Sequence, residues 1–102
     1  MDRATALEAL LAKGPETALL RYSLGTEFLH AGDAERAATH LRRATELDPG
    51  HSASWKLLGK ALAALDRADE ARAAWTSGIA AARAKGDRQG EKEMTVFLRR
   101  LG

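Results

Sequence analysis

"SWKLLGKAL", residues 54–62, reads as the middle of a helix with a glycine inside it. A glycine in a helix interior costs about 1 kcal/mol relative to alanine, so a chain that places one there is usually using its missing side chain. A second stretch, "LRYSLGTEF" at residues 20–28, has the same Leu-Gly pair in the same setting. Gly25 and Gly59 are 34 residues apart, and at that offset residues 18–51 align with 52–85 without a gap. Phe28 falls on Leu62, Ala37 on Ala71 and Leu41 on Trp75, so large and small residues recur in one order. A period of this length is that of a helix-turn-helix unit.

Leu24, Gly25 and Phe28 share one face of their helix, and Ala37, Leu41 and Ala44 share one face of the next. Small residues facing each other let two antiparallel helices approach while large ones interdigitate beside them. Gly59 is therefore expected to make room for the neighbouring helix near Ala71, and a leucine there to overpack.

Trp55, Leu58, Gly59, Leu62, Ala71 and Trp75, with Leu24, Gly25, Phe28, Ala37, Leu41, Ala44 and Pro49 in the first copy, resemble the tetratricopeptide repeat pattern. Arg21 stands in the tryptophan place of the first copy, and Arg83 in the proline place of the second. The second copy's last helix is accordingly expected to run on towards Lys85. The resemblance implies an all-α solenoid of antiparallel helix pairs.

The flanks supply further helices. Leu7, Leu10 and Leu11 follow helical spacing before "KGPE", with Pro15 opening the next helix, and Met94, Phe97, Leu98 and Leu101 do so after "AKGDRQG". Six helices follow, at about 2–13, 16–31, 34–47, 52–65, 68–85 and 88–101. They form one domain: an N-terminal helix (1–15), two repeats (18–51 and 52–85) and a C-terminal capping helix (86–102). The alternative for the last helix is a docking element for another protein. "HAGDAER" ends a helix at Gly32 and starts another with Asp33 as cap; "ALDRADEA" places Asp66 at the glycine position; Ser52 or His51 caps the helix after Pro49.

Composition narrows function by exclusion. The chain has 102 residues, 45% hydrophobic and 29% charged, which suits one soluble domain. It has no cysteine, so thiolate metal sites, disulfides and a cysteine nucleophile are excluded. The N-terminus does not read as a signal peptide and no apolar run reaches membrane-span length, so a cytoplasmic location without membrane association is expected. Sixteen basic residues against fourteen acidic ones, interleaved and with few aromatics, argue against a nucleic-acid partner.

His30, His40 and His51 lack metal-ligand spacing, the serines lack a nucleophile elbow, and no glycine run cradles phosphate. Neither enzymatic activity nor a cofactor is implied.

In the family resembled, the first helix of each repeat lines a concave groove for an extended peptide or a partner's helix. The matching positions are Leu19, Tyr22, Thr26, Leu29 and His30, with Ala53, Lys56, Lys60 and Ala63 from the second copy. Lys56 and Lys60, four apart on one helix face, suit a carboxylate or acidic peptide. The lysine, asparagine and arginine clamp that some members use for a terminal carboxylate is not supported, since the chain has no asparagine. A protein-interaction adaptor is thus the leading expectation, with a self-associating homodimer second.

Overall fold

A large side chain lying on a glycine closes each of the two central hairpins. The computed structural model describes residues 2–102, with no strand among them. Its helices are α1 (Arg3–Lys13), α2 (Ala18–His30), α3 (Ala34–Leu47), α4 (Ser52–Ala64), α5 (Ala68–Lys85) and α6 (Arg88–Leu101). A Cβ on Gly25 would overlap the Leu41 side chain, and a Cβ on Gly59 would overlap the Trp75 indole. The two Leu-Gly pairs therefore occupy equivalent surroundings in α2–α3 and α4–α5.

The neighbour expected for Gly59 is Ala71, but the structure places Trp75 there, one turn further along α5. The reason is a polar anchor: Trp75 donates its Nε1–H to the Lys56 carbonyl oxygen at 3.0 Å, which holds the ring across the glycine. Leu24, Leu41, Leu58, Leu62, Ala71 and Met94 are all fully or almost fully buried and belong to one core.

The layers follow from the pairing. Each helix packs on the next in sequence, and α2 also touches α4, as α4 touches α6. Among the described residues the backbones of α1, α3 and α5 do not approach one another, and α3 meets α5 through the Arg42–Glu70 ion pair. Closer spacing on one side curves the stack, with α2, α4 and α6 on its inner face.

α6 packs as a cap on the second hairpin through a third glycine. A Cβ on Gly78 would overlap the Met94 sulfur and come within 2.7 Å of Trp55 Cβ. Phe97, Leu98 and Leu101 pack beside Met94 against the core. Asp87 ties the start of α6 to the start of α4, accepting from Ser52 Oγ at 2.6 Å and Gly90 N at 2.9 Å. These bonds, led by that from Ser52, hold the Asp87 carboxyl below its ordinary range.

The turns are built alike. Gly32, Asp66 and Gly86 have φ of 81°, 59° and 74°, the left-handed region. After each, the next amide bonds back to a carbonyl of the finished helix: Asp33 to Phe28 at 2.9 Å, Arg67 to Leu62 at 2.9 Å, Asp87 to Ala82 at 2.8 Å. Asp2, Thr17, Asp33 and Asp87 cap their helices through side-chain oxygens.

Two expectations change. α2 opens at Ala18 rather than residue 16, because Thr17 accepts from Leu20 N at 3.1 Å and so caps the helix in place of Pro15. His51 stands at the cap of α4 without a side-chain bond to the backbone, its ring lying instead 2.6 Å from Ser54 Oγ. α5 does run to Lys85.

Asp66 takes a conformation that glycine adopts without strain. Asp66→Gly should therefore raise folding stability by about 0.5–1 kcal/mol in urea denaturation. A lower stability for the glycine variant would contradict this account of the turn.

Candidate binding surface

The inner face carries a pocket of about 210 Å³ between α2 and α4, lined by Thr26, Leu29, His30, Leu57 and Lys60. Four of these five are groove positions expected from the sequence. Leu57 is the addition: it lies one turn before Lys60 and supplies apolar lining from α4.

The other expected positions are distributed around it. Tyr22 is half-buried and meets the His51 ring edge-on at 4.9 Å. Its carbonyl oxygen accepts from Thr26 Oγ1 at 2.9 Å, which satisfies the Thr26 hydroxyl within its own helix. Ala63 is half-buried against the core. Leu19 lies away from this pocket, in an apolar groove between α1 and α2. Ala53 lines a separate hollow of about 190 Å³ together with Lys56 and α6 residues.

The two lysines do not share a neighbourhood. Lys56 faces α6 and pairs with Glu93 at 3.3 Å. Lys60 has no carboxylate partner among the described residues, and its ammonium group lies 5.5 Å from the Phe97 ring centroid, a cation–π distance. The pocket thus joins three apolar or small groups to one cation whose charge no acidic side chain balances.

The arginines gathered along α3 are matched. A hollow of about 330 Å³ gathers Arg21, Arg42, Arg43 and Arg67, yet each has a carboxylate. Arg21 and Arg43 hold Glu16 at 2.6 and 2.8 Å, Arg42 holds Glu70 at 3.1 Å, and Arg67 holds Glu35 at 3.3 Å. The Glu16 carboxyl is lowered to about 2, chiefly by its hydrogen bonds to Arg43 and then by Arg21. Paired arginines leave little charge to recruit a polyanion. No group of three or more acidic or histidine side chains among the described residues could hold a metal ion, and no helix among them is long and apolar enough to cross a membrane.

Two histidines sit inside this framework. His40 stacks on Phe28 at 5.5 Å and takes a hydrogen bond from Arg21 at 3.0 Å on Nδ1, which must be unprotonated because a guanidinium only donates. Burial, then the Arg21 charge, lowers its pKa; burial, then Lys85, does the same for His51. The folded state consequently binds fewer protons than the unfolded chain just below the ordinary imidazole range. Stability should fall as pH drops from about 7 to about 5, and fall again near pH 2–4 as Glu16 protonates. Urea midpoints across this range check it, and an equal or higher midpoint at the lower pH would contradict it.

Comparison with known proteins agrees with this geometry. A tetratricopeptide repeat family model matches residues 28–86. A TPR repeat-containing protein of Pseudomonas aeruginosa is 60% identical over 95 residues, covering 93% of this chain and 90% of the relative. The solution structure of a Bordetella parapertussis protein superposes with a TM-score of 0.84 at 44% identity, covering 99% of this chain and 88% of its own. The crystal structure of a tetratricopeptide repeat domain protein from Salinibacter ruber gives 0.78 at 30% identity, covering 84% of this chain and 96% of its own. Repeat register, hairpin packing and these likenesses together make the chain a member of the tetratricopeptide repeat family.

Proposed function

We propose that the protein is a non-enzymatic cytoplasmic adaptor whose inner face holds a segment of another protein. The family's fold is one of protein-interaction modules, which supports the general reading. The observation that carries the finer one is the α2–α4 pocket, where Thr26, Leu29, His30 and Leu57 surround Lys60, a cation without a carboxylate partner. An apolar side chain fills such a pocket while an adjacent acidic group meets the ammonium, so the fitting segment is apolar and acidic in close succession. Tyr22 and Ala63 extend the surface along the two helices, and Lys56 joins it where an incoming carboxylate replaces Glu93.

Selection from a random peptide library against the protein tests this. Enriched peptides should pair an acidic residue with a large apolar one and should shift backbone amide resonances of Thr26, Leu29, His30 and Leu57. Lys60→Glu should weaken their binding by about tenfold or more. Peptides that bind the Lys60→Glu variant equally well would overturn the assignment.

A further inference from the structure

The N-terminal end of the stack carries an unfilled helix seat. At the repeat offset Leu7 falls on Leu41 and Trp75, Leu10 on Ala44, and Pro15 on Pro49, so α1 corresponds to the second helix of a hairpin. In α3 those positions are covered: Leu41 and Ala44 are 0% exposed beneath α2. In α1 they are not. Leu10 is 58% exposed, and Leu19 beside it on α2 is 69% exposed. Leu7, Leu10, Pro15, Leu19 and Leu20 line an apolar groove of about 410 Å³ between the two helices. A first-type helix contacts its own second helix and the next first helix, as α2 contacts α3 and α4. The groove between α1 and α2 is where such a helix would lie, and no helix among the described residues lies there.

The chain's own surfaces indicate the occupant. The exposed side of α6 carries Arg88, Lys92, Arg99 and Arg100 with Val96, a basic face that does not match an apolar groove. Stacking of one copy's C-terminal end on the next copy's N-terminal end is therefore disfavoured. α1 is different. Its exposed charges balance, Asp2 and Glu8 against Arg3 and Lys13, so an identical face meets it without net repulsion. It also exposes Ala6 and Ala9 beside Leu10. A two-fold axis would set Leu10 of each copy against Ala6 of the other, the same relation of large on small that closes the internal hairpins.

We propose that the α1–α2 groove is a self-association surface and that its occupant is α1 of a second copy, giving a closed two-fold dimer. The groove lies apart from the Lys60 pocket, so the dimer leaves the inner face open. The groove is short, which places the complex at the weak end of dimer interfaces, with a dissociation constant of about 1 µM or above.

Sedimentation equilibrium of the full chain up to about 1 mM tests this, with circular dichroism confirming that each variant folds. The wild-type mass should climb from that of the 11.0 kDa chain towards twice that value. Leu10→Glu combined with Leu19→Glu, both exposed positions, should remain monomeric, whereas Val96→Glu on α6 should dimerise like wild type. Because the chain has no cysteine, Ala9→Cys should also form an intermolecular disulfide on oxidation while Ala84→Cys on the far side of the stack does not. A wild-type monomer throughout, an unchanged dimer in the Leu10→Glu, Leu19→Glu variant, or dissociation by Val96→Glu would each overturn the proposal. So would a monomer whose groove binds a synthetic peptide of residues 52–67, since the occupant would then be a helix of the first type and not α1.

Discussion

The approach of a bulky side chain onto a glycine fixes the spacing of the helices, and other features of the fold follow from that spacing. Leu41 on Gly25 and Trp75 on Gly59 bring the two helices of each hairpin closer than any side chain at the glycine would allow. Met94 on Gly78 docks the last helix by the same device. The cost of three helix-interior glycines, about 1 kcal/mol each, is offset by burial of the leucine, tryptophan and methionine against them. Because the backbones of the first helices approach one another and those of the second helices do not, the stack curves, and the curvature creates the inner face on which Leu57 and Lys60 meet Thr26, Leu29 and His30.

Electrostatics refines this frame without building it. Several ion pairs join different elements: Glu16 of the α1–α2 connection to Arg43 of α3, Arg42 of α3 to Glu70 of α5, Lys56 of α4 to Glu93 of α6. Exposed pairs of this kind contribute little stability singly, and their consequence here is that charge is balanced around α3. Lys60 differs from Lys56 in that no carboxylate answers it among the described residues, and it differs from the unpaired cations on the outer side of α6 in its place beside Leu29 and Leu57 in the α2–α4 pocket. The two ends of the stack differ, α6 presenting arginines and a lysine outward and α1 presenting Leu10 and alanines among charges that balance.

Much of this was legible in the residues because the repeat writes the packing twice. Leu24-Gly25 and Leu58-Gly59, the left-handed turn at Asp66 and the extension of α5 to Lys85 follow from register and local chemistry alone. The Trp75–Gly59 contact was not, since the indole reaches across a helical turn to find the Lys56 carbonyl. The role of Gly78 was hidden for another reason: α5 has 18 residues against 14 in α3, so α6 starts off the repeat offset and Met94 aligns with nothing in the earlier copies. Within the candidate site, the family resemblance named Thr26, Leu29, His30 and Lys60, and Leu57 was not among the positions it implied. Helical spacing placed Lys56 beside Lys60 as an equal, because the partner that distinguishes them, Glu93, lies 37 residues away and meets Lys56 only in three dimensions.

A double-mutant cycle between Gly25 and Leu41 tests most directly whether bulk against glycine sets the hairpin. With Leu41 present, Gly25→Ala should destabilise the fold by about 1–3 kcal/mol in spite of alanine's better helix propensity. In the Leu41→Ala background the space over residue 25 opens, and the same substitution should be neutral or stabilising by up to about 1 kcal/mol. An equal effect of Gly25→Ala in both backgrounds would show that the glycine is not there to receive the leucine, and the account of the hairpins would fail.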